Sequence, residues 1–185
     1  TAVQKAIDEG AIIIGKTAQD AFGFGSFSVN VMKGTPVPKN PYDPERTCGG
    51  SSGGSGGMTA AADFPHLSLG ESTGGSIECP ASFTGVVGVC PTYGRVSRYG
   101  LLDYANSLDK IGPMAKNVKD AALLMSIIQG HDQKDSTSLD VAHEDFTQYC
   151  TSSVKNMRIG IVPESLGDGV DEHINSTIVQ GSESQ

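Results

Sequence analysis

The chain begins with apolar residues at helical spacing. Ala2, Val3, Ala6 and Ile7 share one face, which predicts a helix that Gly10 stops. Ala11 to Ile14 is a short apolar run rich in β-branched side chains and reads as a buried strand. Helix into buried strand is the rhythm of an α/β fold. Phe22 to Ser28 is a glycine-punctuated loop, and Gly34 to Pro44 is a proline-rich connection. Met58 to Ala62 holds good helix formers, Leu67 to Leu69 reads as strand, and Val86 to Val89 reads as a buried strand. Asn117, with Asp120 three residues on, predicts a helix start; Ala121, Leu124, Met125 and Ile128 supply its apolar face, and Gly130 ends it. Gln133 to Ser153 is polar and aperiodic, a surface excursion. Met157 to Val162 reads as another buried strand, and Asp168 to Val179 as the start of a further helix. There are no internal repeats.

Composition narrows the classes. The 185 residues are 37% hydrophobic with 24 glycines and no tryptophan, and no apolar run is long enough to predict a membrane span or a signal peptide. The net charge is −8 without a sizeable Lys/Arg cluster, so the chain is ill suited to gripping phosphate backbones; a nucleic acid in its reaction would be held by a partner. Cys48, Cys79, Cys90 and Cys150 form no Cys-x-x-Cys pair and no histidines cluster, which points to neither zinc nor a disulfide framework and makes a reducing compartment the default.

Candidate chemistry gathers between Cys48 and Pro91. Two Gly/Ser knots, Gly49 to Gly57 and Thr73 to Ser76, lie on either side of a small apolar segment. A flexible linker would carry no pattern at its ends, whereas helix formers and a strand separate these knots. Gly-Gly-Ser steps leave amide N–H groups free to face an anion, as acyl transfer requires of an oxyanion site. Ser76 is the best nucleophile: it follows two glycines and enters a helix whose first turn tolerates Pro80, and Thr73, Gly74, Gly75 and Ser76 would offer the oxyanion donors. The pattern G-x-S-x-G occurs at Gly49 to Gly53 and Gly53 to Gly57 and suggests a hydrolase elbow with a histidine base. Against it, Pro44 to Cys48 is not expected to form a strand, and His66, His131, His143 and His173 stand in no catalytic context. Lys16, in a loop after the first apolar run, is a weaker candidate base.

GGSSGGS at Gly49 to Ser55, followed by STGGSIECPASFTGVVG at Ser72 to Gly88, resembles the signature of the amidase signature family. The continuations PTYGRVSRYGL (Pro91 to Leu101), ANSLDKIGPMAKNVKDAALL (Ala105 to Leu124) and DSTS (Asp135 to Ser138) are similar to the glutaminase A subunits of glutamyl-tRNA(Gln) amidotransferases within it. The likeness runs from about Val3 to about Val170. It implies an α/β amidase signature fold, a large twisted mixed sheet covered by helices on both faces, of which residues 1–185 would be a central part incomplete at both ends.

The resemblance also implies a Ser-Ser-Lys mechanism. Ser76 would be the acyl nucleophile and Ser51, after a cis peptide, the bridging serine, with Ser52 the neighbour most easily confused with it. The family's catalytic lysine would fall upstream of Thr1, and GKT at Lys16 does not match it. The segment resembling Phe24 to Ser28 borders the family's substrate pocket. Implied partners are L-glutamine, the amidotransferase B and C subunits, and Glu-tRNA(Gln) held mainly by the B subunit, which uses ATP and Mg²⁺; no cofactor or metal is implied for this chain, and no membrane. Location would be cytoplasmic, or mitochondrial or plastid in a eukaryote. A free-standing amidase on a small amide and a non-catalytic scaffold subunit are the alternatives. Two departures stand out: the family usually has Asp where this chain has Ser72 and Arg where it has Glu78, read as the joint loss of a charge pair. Ser51 and Ser76 are 25 positions apart, one more than usual, which suggests a loop insertion between Gly56 and Pro65.

Overall fold

Ala2 and Ala6 pack inward from helix α1 (Ala2–Asp8) against the buried Leu124, Met125 and Ile128 of α4 (Val118–Ile128), and Val96 joins them in one core cluster. The computed structural model describes residues 1–150, 158 and 160–183, and the chain divides into two units, Thr1–Cys150 and Thr151–Gln185. Both helices follow their sequence signals. Gly10 adopts φ +91°, and Ala11 N donates to Ala6 O at 3.0 Å to close the end of α1. At the start of α4, Asn117 Oδ1 accepts the Asp120 amide at 2.9 Å.

The central sheet is antiparallel in the order β3 (Ser68–Ser72), β5 (Lys110–Ala115), β4 (Val87–Gly88), with Ser68 opposite Met114 and Ser72 opposite Lys110. The apolar run Leu67 to Leu69 thus leads into β3, which starts at Ser68, and the expected buried strand Val86 to Val89 is reduced to two half-buried residues, Val87 and Gly88. β5, the central strand, has no periodicity to announce it, because Gly112 and Pro113 interrupt it. Proline removes a ladder donor, yet its carbonyl accepts Val89 N at 3.0 Å, and a side chain at Gly112 would run into Val89 O. A second core cluster, Ile77, Ala81 and Met114, joins α3 (Glu78–Thr84) to this sheet.

Several expectations fail for one reason, the presence or absence of a partner segment. Ala11 to Ile14 is not a buried strand: it is irregular, with Ile12 87% exposed, and no strand of its unit pairs with it. Pro44 to Cys48, expected to be non-strand, supplies most of β2 (Asp43–Thr47), which pairs with β1 (Lys39–Asn40) in a small hairpin. Helix α2 (Gly53–Ala61) begins inside the glycine run rather than at Met58. The start of the polar excursion is anchored, since Asp135 and Ser138 are buried and Leu139 N bonds Gly94 O at 2.8 Å. Thr151, Ser152 and Ser153 of that excursion lie outside the described residues. So do Met157 and Ile159 of the expected strand Met157 to Val162, and Gly160, Ile161 and Val162 show no strand. The second unit holds α5 (Glu172–Glu183), which overlaps the expected helical region Asp168 to Val179 but starts only at Glu172.

Candidate active site

Five consecutive small residues, Gly53, Gly54, Ser55, Gly56 and Gly57, are buried in α2. Glycine is a poor helix former, but here neighbouring segments need the space. A Cβ on Gly54 would run into Ala18 O, one on Gly56 would come within 2.8 Å of Thr84 Oγ1, and one on Gly57 within 2.9 Å of Cys48 Sγ. The helix therefore approaches three segments at backbone range and holds its leading residues, Ser51 and Ser52, in the interior.

Ser51 and Ser52 are each 1% exposed and differ in their bonding. Ser52 Oγ donates to Glu71 O and accepts Glu71 N, both at 3.1 Å, which binds α2 to β3. Ser51 Oγ is buried with no hydrogen-bond partner among the described residues. The Gly50–Ser51 peptide is cis. Asp20 N donates to Ser51 O at 3.1 Å, and Ser28 Oγ donates to the same carbonyl at 3.2 Å. Asp20 is fully buried and accepts Ser28 N at 2.9 Å and Asn30 N at 2.8 Å, so the loop predicted over Phe22 to Ser28 folds around this carboxylate and lies against Ser51.

Ser76 lies in the turn between β3 and α3 and is half-buried. Its carbonyl accepts Ser52 N at 3.2 Å, which brings the two Gly/Ser knots together. Ile77, the next residue, is fully buried and anchors the turn in the core. Gly75 adopts φ +128°, a conformation glycine tolerates; its N–H donates to Ser72 Oγ at 3.1 Å and its carbonyl accepts Cys79 N at 2.8 Å. Thr73 Oγ1 donates to Asp109 Oδ1 at 2.6 Å, and Lys110 Nζ donates to Thr73 O at 3.1 Å. Burial, aided by the Asp109 charge and opposed by the Thr73 hydroxyl, pushes the Glu71 carboxyl above its ordinary range.

The departures at Ser72 and Glu78 meet directly: Ser72 Oγ donates to Glu78 Oε2 at 2.8 Å. Glu78 keeps a charge, inverted relative to the arginine of the resemblance, so joint charge loss is not what the pair represents. Burial raises its pKa, but bonds from its own amide, Ser72, the Cys90 thiol and Ile77 N prevail and hold the carboxyl below its usual range. Asp20, Asp109 and Lys110 escaped the sequence reading because nothing local marks them; only chain reversal brings them to the serines.

The other candidates lie elsewhere or carry little. Lys16 is exposed. His66 bonds Ser68 Oγ, His131 bonds Ser138 and His143 bonds Ser126 O, so none of these three serves a G-x-S-x-G serine. All four cysteines are free, and burial raises the Cys48 thiol above its normal range. Among the described residues no group of three His, Cys, Asp or Glu side chains could hold a metal ion, and no helix is long and apolar enough to cross a membrane. A cavity of about 600 Å³ lined by Cys90, Met125, Leu139, Phe146 and Tyr149 among others includes neither Ser51 nor Ser76 in its wall.

The A subunit of glutamyl-tRNA(Gln) amidotransferase from Trichodesmium erythraeum (strain IMS101) is 50% identical over 177 residues, 94% of this chain and 36% of that protein. The chain thus spans little more than a third of the curated relatives it matches. Among solved structures, the A subunit of the same enzyme from Thermotoga maritima superposes with a TM-score of 0.71 at 45% identity, covering 76% of this chain and 30% of that one. A 6-aminohexanoate cyclic dimer hydrolase gives a TM-score of 0.83 at 30% identity, covering 95% and 37%. The family model described as Amidase matches residues 1–180, and this chain, with its α/β part of the amidase signature fold, belongs to the amidase family.

Proposed function

We propose that Ser76 is the acyl nucleophile of an amide-hydrolysing site and Ser51 its proton relay, and that the protein carrying this chain is the glutaminase subunit of a glutamyl-tRNA(Gln) amidotransferase. The observation that supports the site assignment is the pairing of a buried hydroxyl without a partner, Ser51 Oγ, with an adjacent serine turn bound through Ser52 N to Ser76 O. A buried unpaired hydroxyl costs stability, and a relay needs one whose bonding is not already used. Ser76 Oγ attacks the glutamine side-chain amide carbon while its proton passes to Ser51, whose own proton goes to a neutral lysine amine supplied, by the resemblance, outside this chain. Backbone amides of Thr73 and Gly74 meet the oxyanion, because the Gly75 N–H, the third donor the sequence offers, is taken up by Ser72 Oγ. Collapse returns a proton to the leaving nitrogen, releases ammonia and leaves an acyl-Ser76 ester, which water hydrolyses to glutamate.

In this reading the ammonia passes to a B subunit that activates Glu-tRNA(Gln) with ATP and Mg²⁺, and a small C subunit braces the pair. The 50% identity to amidotransferase A subunits favours this assignment. The TM-score of 0.83 with a hydrolase of a different amide supports the second reading, a free-standing amidase. Glutamine hydrolysis by the full-length protein, assayed beside simple amides, separates the two. In the same assay Ser76→Ala lowers the rate by about four orders of magnitude, as loss of a nucleophile does, without unfolding the protein. A folded Ser76→Ala protein with several per cent of parent activity rejects the nucleophile.

A further inference from the structure

The geometry points to Ser72 and Glu78 as positioning residues that orient the Ser76 turn through a relay from amide to hydroxyl to carboxylate. This rests on the assignment of Ser76 as nucleophile. Ser72 is fully buried at the end of β3, and its single hydroxyl proton goes to Glu78 Oε2 at 2.8 Å. A carboxylate can only accept, so that proton is committed to Glu78 and a lone pair of Ser72 Oγ is left for the Gly75 N–H at 3.1 Å. Glu78 Oε2 also accepts Ile77 N at 3.3 Å, so the same oxygen grips the chain on the far side of Ser76.

The consequence is directional. The amide of Gly75 is drawn inward toward Ser72, its carbonyl is held by Cys79 N at 2.8 Å, and the residue between these grips and Ile77 is Ser76. A neutral or cationic group at position 78 would remove the charge that commits the Ser72 proton. Ser72 Oγ could then donate elsewhere, and the Gly75 peptide would lose its fixed orientation. Glu78 is itself exposed, which makes its replacement tolerable to the fold while leaving the orienting effect open to test.

The experiment uses the full-length protein with its partner subunits and compares Glu78→Ala, Glu78→Gln, Ser72→Asp, Glu78→Arg and the double variant Ser72→Asp/Glu78→Arg, with Ser76→Ala as control. Each is read by kcat and KM for glutamine hydrolysis, by the rate at which a fluorophosphonate probe labels Ser76, and by thermal melting. Misplacement of a nucleophile on the order of 1 Å is worth about a hundredfold in rate, so Glu78→Ala is expected to lower kcat and probe labelling by about that factor, with KM and Tm near parent values. Glu78→Gln, which retains an acceptor oxygen, loses less. Ser72→Asp alone sets two carboxylates together and loses more, and the double variant, which restores a bonded pair of opposite charges, regains most of the loss. The proposal is overturned by parent-like kcat and labelling in folded Glu78→Ala, or by a double variant no better than the poorer single. If Ser76→Ala still labels and hydrolyses, the nucleophile assignment fails instead, an outcome distinct from the other two.

Discussion

Ser51 and Ser52 are adjacent, equally buried and chemically identical, yet the fold gives them opposite bonding. Ser52 Oγ exchanges two hydrogen bonds with the Glu71 backbone, so Ser52→Ala leaves a buried N–H and C=O short of partners and is expected to cost about 1–3 kcal/mol of stability, seen as a lower Tm. Ser51→Ala removes a buried hydroxyl without a partner, so Tm holds or rises while kcat falls by at least about a hundredfold with little change in KM. A folding defect in Ser51→Ala with activity per folded molecule intact would reverse the two roles. The motif identified both serines as special. Which of them is spare for chemistry depends on Glu71, 19 and 20 positions away in sequence, and no local pattern reports that.

Among the elements, α2 and α4 are opposite cases. Helix α4 is legible because its cap, its apolar spacing and its stop are local; Asn117→Ala is expected to cost about 1 kcal/mol, checked by urea unfolding. Helix α2 reads as a loop on propensity, and packing makes it a helix: its glycines admit Ala18 O, Thr84 and Cys48 to backbone range. Gly54→Ala therefore destabilises by about 2 kcal/mol although alanine is the better helix former, because the added methyl meets backbone that cannot turn aside. Unfolding midpoints at or above the parent value would show that the approach of Ala18 is not tight.

At the scale of the whole molecule, buried carboxylates join segments far apart in the chain. Asp135 is raised by burial and lowered more by the bonds from Arg98 N and from Thr137, with the Arg98 charge adding to them, so its carboxyl sits below the ordinary range. The ion pair with Arg98 measures 3.8 Å. A carboxyl whose folded pKa is depressed contributes stability that is fully present above the unfolded carboxylate pKa and lost as pH falls through the folded value. Melting temperature should thus decline on acidification below about pH 4, and Asp135→Asn should melt lower at neutral pH with a shallower acid decline. An unchanged acid slope in the variant would assign the loss to other groups, of which Asp132, held down first by the Ser97 hydroxyl, is the nearest.

What the sequence determined by itself is what depends on neighbours within a few residues. The α1 stop at Gly10, the α4 cap at Asn117 and the serine turn entering α3 were all readable, because their bonds close locally. Tertiary structure decided the rest. The run Ile12 to Ile14 has strand chemistry but no ladder partner in its unit, whereas Lys110 to Ala115 carries glycine and proline and still becomes the central strand between β3 and β4. Backbone polar groups are satisfied by whatever chain lies beside them, so a strand is a property of a pair of segments. The same holds for the site: the serines are written in two short motifs, but the unpartnered hydroxyl of Ser51 and the Ser72–Glu78 relay exist only once β3, α2 and α3 are packed together.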